Sequence, residues 1–197
     1  MKGPNVIKHG RISLLAFIML FMPAVSTAPV AEFSIRMARY NAAREIVRKK
    51  HHEAEFDRFV RDLGYRESAN NWLCINLIGC FGEWQFAEGT LHTLGFRQVT
   101  LKKFKKDPYI FPPELQRLAL ESLIRANLSL IGNYEDYVGD TIMGVVVTKS
   151  GIIAAAHLGG YRSVQKFLAS RGKINKKDVL GTSVFNYMKR FRYYDLG

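Results

Sequence analysis

One acidic residue, Glu67, lies in a part of the sequence that is rich in aromatic side chains. The aromatic residues close to it are Phe56, Phe59, Tyr65, Trp72, Phe81, Trp84 and Phe86. Desolvation by apolar groups disfavours the charged form of a carboxyl and raises its pKa. A carboxyl that keeps its proton can deliver it to the leaving oxygen of a glycosidic bond, and flat rings suit the apolar faces of sugars. On residue type alone a glutamate is most often solvated, so other residues must decide whether Glu67 is a catalytic acid.

Four short patches favour a catalytic role for this residue. In chain order they are Glu67-Ser68-Ala69-Asn70, Gly82-Glu83-Trp84-Gln85-Phe86, Ala155-Ala156-His157-Leu158-Gly159-Gly160 and Gly181-Thr182-Ser183-Val184-Phe185-Asn186-Tyr187. Their order and spacing resemble those of the soluble lytic transglycosylases and the wider goose-type lysozyme superfamily. In that family E-S-x-x is followed by G-x-x-Q, then by A-Y-N-x-G, then by a patch ending in Tyr. The resemblance extends from about Phe56 to Tyr187.

The resemblance implies an all-α, lysozyme-like fold with a short irregular or β-hairpin region near the active site. It identifies Glu67 as the catalytic glutamate and Tyr187 as the tyrosine that hydrogen-bonds near its carboxyl. Contacts with a peptidoglycan glycan strand are implied for the other matched residues and their neighbours, namely Ser68, Gly82, Trp84, Gln85, Phe86 and His157. His157 stands where the family usually has Tyr and Leu158 where it has Asn, so the third patch departs from the pattern.

The number of carboxyls decides the expected reaction. Hydrolases pair two carboxyls across the bond, whereas a transglycosylase of this family uses one and forms a 1,6-anhydro product. Glu83 is the main candidate for a second acid, and its alternative interpretation is an exposed loop residue. The sequence therefore favours a lytic transglycosylase with a single glutamate. A hydrolytic muramidase and a catalytically inactive glycan-binding or envelope-binding domain are the alternatives.

The composition is that of a globular protein with a basic surface. The chain has 197 residues, of which 29 are Lys or Arg and 17 are Asp or Glu, giving a formal charge of +12. We expect no cofactor, no metal and no nucleic-acid partner, because charge is the only feature that favours nucleic acid and no binding motif accompanies it. The basic run Lys102, Lys103, Lys105 and Lys106 is interpreted as a solvated surface or as an attraction for an anionic wall polymer.

The first 28 residues are interpreted as a secretory signal peptide. A basic start precedes an apolar run, residues 12–25, and small residues follow at Ser26, Thr27 and Ala28. We therefore expect a periplasmic or secreted protein, with membrane contact only through an uncleaved signal segment. In an oxidising compartment Cys74 and Cys80 can form a disulfide, and two buried thiols are the alternative.

The remaining sequence is mostly helical in pattern. We expect an N-terminal helical segment at residues 29–52 and a catalytic domain at 53–197. Within the domain, apolar spacing predicts a helix from Glu53 to about Ser68, with a kink or break at Gly64. Further helices are predicted from about Ala87 to Gly95, from the two prolines at 112–113 to Gly132, and at three later segments up to Phe191. Turns and a short hairpin are expected in the Gly- and Asn-rich segment between Asn70 and Gly82.

Overall fold

The computed structural model describes residues 28–197, and the architecture is helix-dominated with one short antiparallel hairpin. The helices are α1 (Ala28–Ser68), α2 (Glu88–Thr93), α3 (Leu101–Lys106), α4 (Pro113–Ile131), α5 (Lys149–Gly159), α6 (Tyr161–Ala169) and α7 (Val184–Arg190). The strands are β1 (Thr141–Ile142) and β2 (Val145–Val146), and 3₁₀ turns lie at Pro108–Ile110 and Tyr134–Tyr137. The predicted all-α fold with a short hairpin is thus confirmed. The predicted signal peptide lies outside the described residues, apart from Ala28.

Helix α1 is continuous through both positions where the sequence predicted an interruption. It passes the expected boundary at residues 52–53 and does not break at Gly64. A Cβ at Gly64 would come within 2.7 Å of Asn70 Oδ1 and of Glu83 Oε1. The glycine therefore lets two side chains of the following loop lie against the helix, and the backbone keeps its helical form.

The chain divides into two compact units, residues 1–46 and residues 47–197, and the division falls inside α1. In the first unit the side chains of residues 31–46 are exposed to solvent. The second unit contains the hydrophobic core. Among residues 28–197, no helix is both long enough and apolar enough to span a bilayer.

Helix α5 lies at the centre of the second unit. Every residue from Ser150 to Ala156 is buried, and most of them are small. Small side chains allow close helix packing, and a Cβ at Gly151 would lie only 2.8 Å from the backbone oxygen of Met188 in α7. The position of α7 is therefore set by direct contact with the backbone of α5.

The hairpin does not lie where the sequence predicted it. Thr141 pairs with Val146 and Ile142 with Val145, and the two residues between the strands, Met143 and Gly144, both have positive φ, as a type I′ turn requires. The segment from Asn70 to Gly82 contains turns and isolated bridges, one of which joins Ile75 to Phe81. It forms an irregular loop beside the end of α1, so the expectation of an irregular region there is correct and the expectation of a hairpin is wrong.

Candidate active site

The carboxyl of Glu67 lies next to the hydroxyl of Tyr187. Glu67 is half-buried in the last turn of α1, and Tyr187 is buried in α7. The Tyr187 hydroxyl donates a hydrogen bond to Glu67 Oε1 with an O···O distance of 2.5 Å. Within residues 28–197, no hydrogen bond holds the second oxygen, Oε2. One carboxyl oxygen is therefore fixed and the other is available to a ligand.

Helix α7 is fixed at its first residue by a reciprocal pair of hydrogen bonds. Ser183 Oγ accepts a hydrogen bond from the Asn186 amide at 3.2 Å, and Asn186 Oδ1 accepts one from the Ser183 amide at 2.9 Å. This capping box satisfies amide groups that the first turn of a helix leaves without partners. It also places Tyr187 one residue beyond the capped turn, where its ring points to the end of α1.

Two cavities lie near Glu67, although Glu67 itself belongs to the wall of neither. The larger has a volume of about 620 Å³, and Tyr187, the partner of Glu67, is part of its wall. The smaller has a volume of about 420 Å³ and is lined by Cys80, Gln85 and His157, among others. The charge of Glu67 shifts the pKa of Cys80 and of His157 as well as that of Tyr187, so the carboxyl lies close to the walls of both cavities.

Burial keeps Tyr187 protonated. Desolvation first, and then the charge and hydrogen bond of Glu67, raise the pKa of Tyr187 well above its ordinary value. The phenol therefore remains a hydrogen-bond donor at neutral pH. In this arrangement Tyr187 orients the carboxyl and does not compete with it for the role of acid.

The side chain of His157 lies in the wall of the smaller cavity with one nitrogen engaged. Its Nε2 lies 3.0 Å from the carbonyl oxygen of Trp84. Because a carbonyl can only accept, Nε2 carries the hydrogen, and Nδ1 of the neutral ring is an acceptor. Desolvation lowers the pKa of His157 in spite of opposing effects from Glu67 and the Trp84 carbonyl, so the neutral form is favoured.

Two buried acceptors in this cavity lack a partner. Gln85 donates from Nε2 to the carbonyl oxygens of Gly82 at 2.7 Å and Cys74 at 3.3 Å, which turns its Oε1 away from the loop backbone. Within the described part of the chain, Gln85 Oε1 and His157 Nδ1 are the buried side-chain atoms without a hydrogen-bond partner. A buried acceptor that lacks a donor is costly, so both atoms favour a ligand that brings hydroxyl or amide hydrogens.

The loop that carries Gln85 is held by two residues of neighbouring helices. Ser68 Oγ, at the end of α1, donates to the Glu83 carbonyl oxygen at 2.7 Å. Gln116 of α4 is fully buried; its Oε1 accepts from the Glu83 amide at 2.7 Å, and its Nε2 donates to the carbonyl oxygens of Trp72 at 3.0 Å and Phe111 at 2.8 Å. Ser68, predicted to contact substrate, thus has a positioning contact. The sequence did not predict this role of Gln116, because the role comes from contacts with residues far away along the chain.

The structure corrects two of the predicted substrate contacts, those of Trp84 and Gly82. Trp84 is 4% exposed and donates from Nε1 to the Val60 carbonyl oxygen at 3.0 Å, so its ring is not available as a platform for sugars. Phe86 is 2% exposed and packs edge-on against His157, and it belongs to the wall of the smaller cavity. Gly82 has a φ of +85°, and a Cβ there would lie 2.7 Å from Gln116 Oε1. Its lack of a side chain therefore accommodates Gln116, a group of the protein interior, instead of a sugar chain.

Other aromatic rings line the cavities. Tyr193 belongs to the wall of the larger cavity and is 66% exposed. Tyr161 belongs to the wall of the smaller cavity. Tyr161 comes just after the third predicted patch, and Tyr193 comes shortly after the fourth. The sequence did not predict their positions, because aromatic residues that line a cavity and those in the core have the same apolar periodicity.

The carboxyl of Glu83, like that of Glu67, belongs to the wall of neither cavity. It lies against Gly64, where Oε1 would be 2.7 Å from an added Cβ. Burial raises the pKa of Glu83, and the positive charge of Arg117 opposes this effect. Glu83 is half-buried, so it is not the exposed loop residue of the alternative interpretation.

Cys74 and Cys80 are free thiols in the structure, each half-buried. The disulfide that the sequence left open is therefore not formed. Burial, followed by the charge of Glu67, raises the pKa of Cys80, while a hydrogen bond from Asn76 lowers it. Among the described residues, no three His, Cys, Asp or Glu side chains are grouped as metal ligands.

We predict that His157 makes stability depend on pH. Its pKa is lower in the folded protein, so the unfolded chain binds more protons as the pH falls below the ordinary histidine pKa of about 6.5. The free energy of unfolding should therefore decrease as the pH is lowered from about 7.5 to 5, and His157→Gln should reduce this decrease. Urea unfolding at several pH values measures it for both proteins. An identical pH dependence in the two would contradict a buried neutral histidine, because His51, His52 and His92 are common to both.

Comparison with known proteins adds no relative to this description. No protein-family model, no curated protein and no solved structure matches the chain. The functional interpretation therefore depends on the motif pattern and on the geometry around Glu67.

Proposed function

We propose that this protein is an exported lytic transglycosylase that cleaves peptidoglycan with Glu67 as its single acid and base. The observation that carries the proposal is the pair formed by Glu67 and Tyr187. A half-buried carboxyl is held at one oxygen by a phenol that stays protonated, and residues close to this carboxyl line two cavities. This is an arrangement that general acid–base catalysis on a bound polymer requires.

In the first step Glu67 delivers its proton to the oxygen between two sugars. Tyr187 occupies Oε1, so the proton is transferred from Oε2. The bond between the anomeric carbon and this oxygen breaks, and the oxygen leaves as a hydroxyl. The carboxyl, now ionised, remains beside the cationic sugar, which the N-acetyl group of the substrate stabilises in the family that the sequence resembles.

In the second step Glu67 accepts a proton from the C6 hydroxyl of the muramic acid. The C6 oxygen then bonds to the anomeric carbon of the same sugar and gives a 1,6-anhydro ring. Attack within one sugar gains in rate over attack by water because the reacting atoms are already close together. Proton and bond counts balance with one carboxyl, since the proton donated in the first step is recovered in the second.

The smaller cavity supports a sugar as the ligand. Its two unpartnered acceptors, Gln85 Oε1 and His157 Nδ1, match hydroxyl and acetamido hydrogens of an amino sugar. No charged Asp, Glu, Lys or Arg belongs to the wall of this cavity. A neutral, donor-rich ligand such as an N-acetylated sugar therefore fits it better than an ion does.

The position of Glu83 favours the transglycosylase over the hydrolase. A hydrolase needs a second carboxyl across the scissile bond, whereas the Glu83 carboxyl lies against Gly64, where Arg117 is the charged group that acts on its pKa. Digestion of purified peptidoglycan followed by mass spectrometry of the products tests this assignment. Anhydro ends are expected; reducing ends would replace the proposal with a muramidase, and no release with retained binding would leave a glycan-binding domain.

We predict that Tyr187→Phe lowers the cleavage rate without unfolding the protein. The change removes the hydroxyl that donates to Glu67 Oε1, while the ring still fills its buried site. A hydrogen bond to a charged group contributes about 1.5–3 kcal/mol, so the rate should fall about ten- to a hundredfold. Release of anhydro-muropeptides measures the rate.

Tyr194→Phe is the matched control for this prediction. Tyr194 also donates to a carboxylate, Asp62 Oδ2 at 2.7 Å, and burial and this bond raise its pKa to about 12. It lines neither cavity beside Glu67. Cleavage by Tyr194→Phe should match the wild type, and an equal loss in both variants would show that the effect comes from stability.

A further inference from the structure

The larger cavity beside Glu67 is lined by four cationic side chains: Arg66, Lys189, Arg190 and Arg192. Arg66 comes from the last turn of α1, and the others come from the end of α7 and the residues after it. Within residues 28–197, none of the four forms an ion pair with an Asp or Glu side chain. Four cations in one concave wall repel each other unless an anion occupies the space between them.

Nearby carboxylates do not balance this charge. Glu67 and Asp178 are the carboxyls whose charge reaches Tyr187 in the same wall, and Asp62 acts together with Arg190 on Tyr194. Three negative groups stand against four positive ones, and Glu67 must be protonated when the proposed reaction begins. The wall therefore keeps an excess of positive charge when a substrate binds.

Part of this charge is held in place. The Arg192 guanidinium lies 4.1 Å from the ring centre of Tyr193, and its Nη1 donates to the Lys189 carbonyl oxygen at 2.5 Å. Arginine presents several hydrogens in a planar array that matches the two oxygens of a carboxylate. A fixed guanidinium loses little conformational entropy when it binds an anion.

The geometry points to an anion site, and we infer that the larger cavity binds carboxylates of the peptide stem carried by the sugar next to the scissile bond. This inference rests on the proposed function. The stem is joined to muramic acid. Tyr187 belongs to the wall of the larger cavity and is also hydrogen-bonded to Glu67. A stem carboxylate can therefore reach Arg66 and Arg190 while the sugar lies at Glu67. The smaller cavity, which has no Asp, Glu, Lys or Arg in its wall, then receives the neighbouring sugar, which carries no peptide stem.

Phosphate groups of a wall polymer share this anion chemistry. Such a polymer, when joined through the C6 hydroxyl of muramic acid, would consume the nucleophile that the proposed second step needs. For this reason the structure and the reaction together favour the stem carboxylates over a phosphodiester.

Direct binding measurements separate these possibilities from catalysis. Calorimetric titration of the Glu67→Gln protein would compare a disaccharide–tetrapeptide, the same disaccharide without its peptide, and a glycerol-phosphate oligomer. We expect the peptide-bearing ligand to bind about tenfold more tightly than the bare disaccharide at low salt, and Arg66→Gln/Arg190→Gln to abolish this difference. Lys102→Gln/Lys105→Gln removes the same charge from exposed positions on α3 and should leave the difference unchanged.

Three results would overturn the inference. They are equal affinity for the two disaccharides, tighter binding of the glycerol-phosphate oligomer, and an equal effect of the two double variants. The outcome for the proposed function is separate, because it depends on product release by the wild type. Preferential binding of the stem without any release of anhydro products would support the anion site and contradict the transglycosylase.

Discussion

Glu67→Gln is expected to reduce the release of anhydro-muropeptides from peptidoglycan by about a hundredfold to ten-thousandfold, the range that general acid–base catalysis contributes. The amide has nearly the shape of the carboxyl and its oxygen can still accept the Tyr187 hydrogen bond. It cannot deliver a proton to the leaving oxygen or accept one from the C6 hydroxyl. The fold should therefore persist while the reaction stops, and mass spectrometry of soluble products together with circular dichroism measures both.

Glu83→Gln is the matched control for this variant. It makes the same chemical change in a half-buried glutamate whose carboxyl lies against Gly64 and does not contact Tyr187. We expect near-normal cleavage, because the mechanism needs one carboxyl only. Undiminished release by Glu67→Gln would end the enzyme assignment, and a strong loss in Glu83→Gln would bring back a mechanism with two carboxyls.

Gln116→Leu is expected to have the largest effect on stability. Leucine has a similar size, so the change removes hydrogen bonds with little loss of volume. The Glu83 amide and the carbonyls of Trp72 and Phe111 would all lose their partner. An unpartnered buried group costs about 1–3 kcal/mol, so the free energy of unfolding should fall by about 3 kcal/mol or more. Urea unfolding monitored by tryptophan fluorescence measures the change.

A glutamine near the surface provides the comparison. Gln165 donates to the Leu130 carbonyl oxygen at 2.9 Å from a half-exposed position, where water can replace its amide. Gln165→Leu should therefore cost much less than Gln116→Leu. If the two substitutions destabilised the protein equally, the interior hydrogen bonds of Gln116 would not be what holds the loop that carries Gln85.

Local sequence signals predicted most of the helices. The helix opened by two prolines and closed by Gly132 lies where expected, because proline suits a first turn and glycine suits the residue after a last one. Ser183 caps the last helix. Thr148 caps α5 by accepting the hydrogen bond from the Gly151 amide, although Ser150, two residues later, has a side chain of similar chemistry. Neighbouring cap residues of similar chemistry cannot be ranked without the packing around them.

The candidate site was predictable only in part. The pairing of Glu67 with Tyr187 was implied by the resemblance to the lytic transglycosylases, although 120 residues separate the two. The role given to Trp84 was wrong because an aromatic ring in a loop has the same sequence signal whether it faces a cavity or the core. The cationic wall was not foreseen, since Arg66 and Arg190 come together only when the end of α1 meets the end of α7.

The unlike walls of the two cavities have a consequence for the lengths of the products. Two kinds of linkage alternate along a peptidoglycan strand, and they differ in which side the peptide-bearing unit occupies. Under the proposed function, with one charged and one uncharged cavity near Glu67, a strand bound in a given direction would present only every second linkage to the carboxyl. Fragments cut from the interior of a strand should then contain even numbers of sugar units.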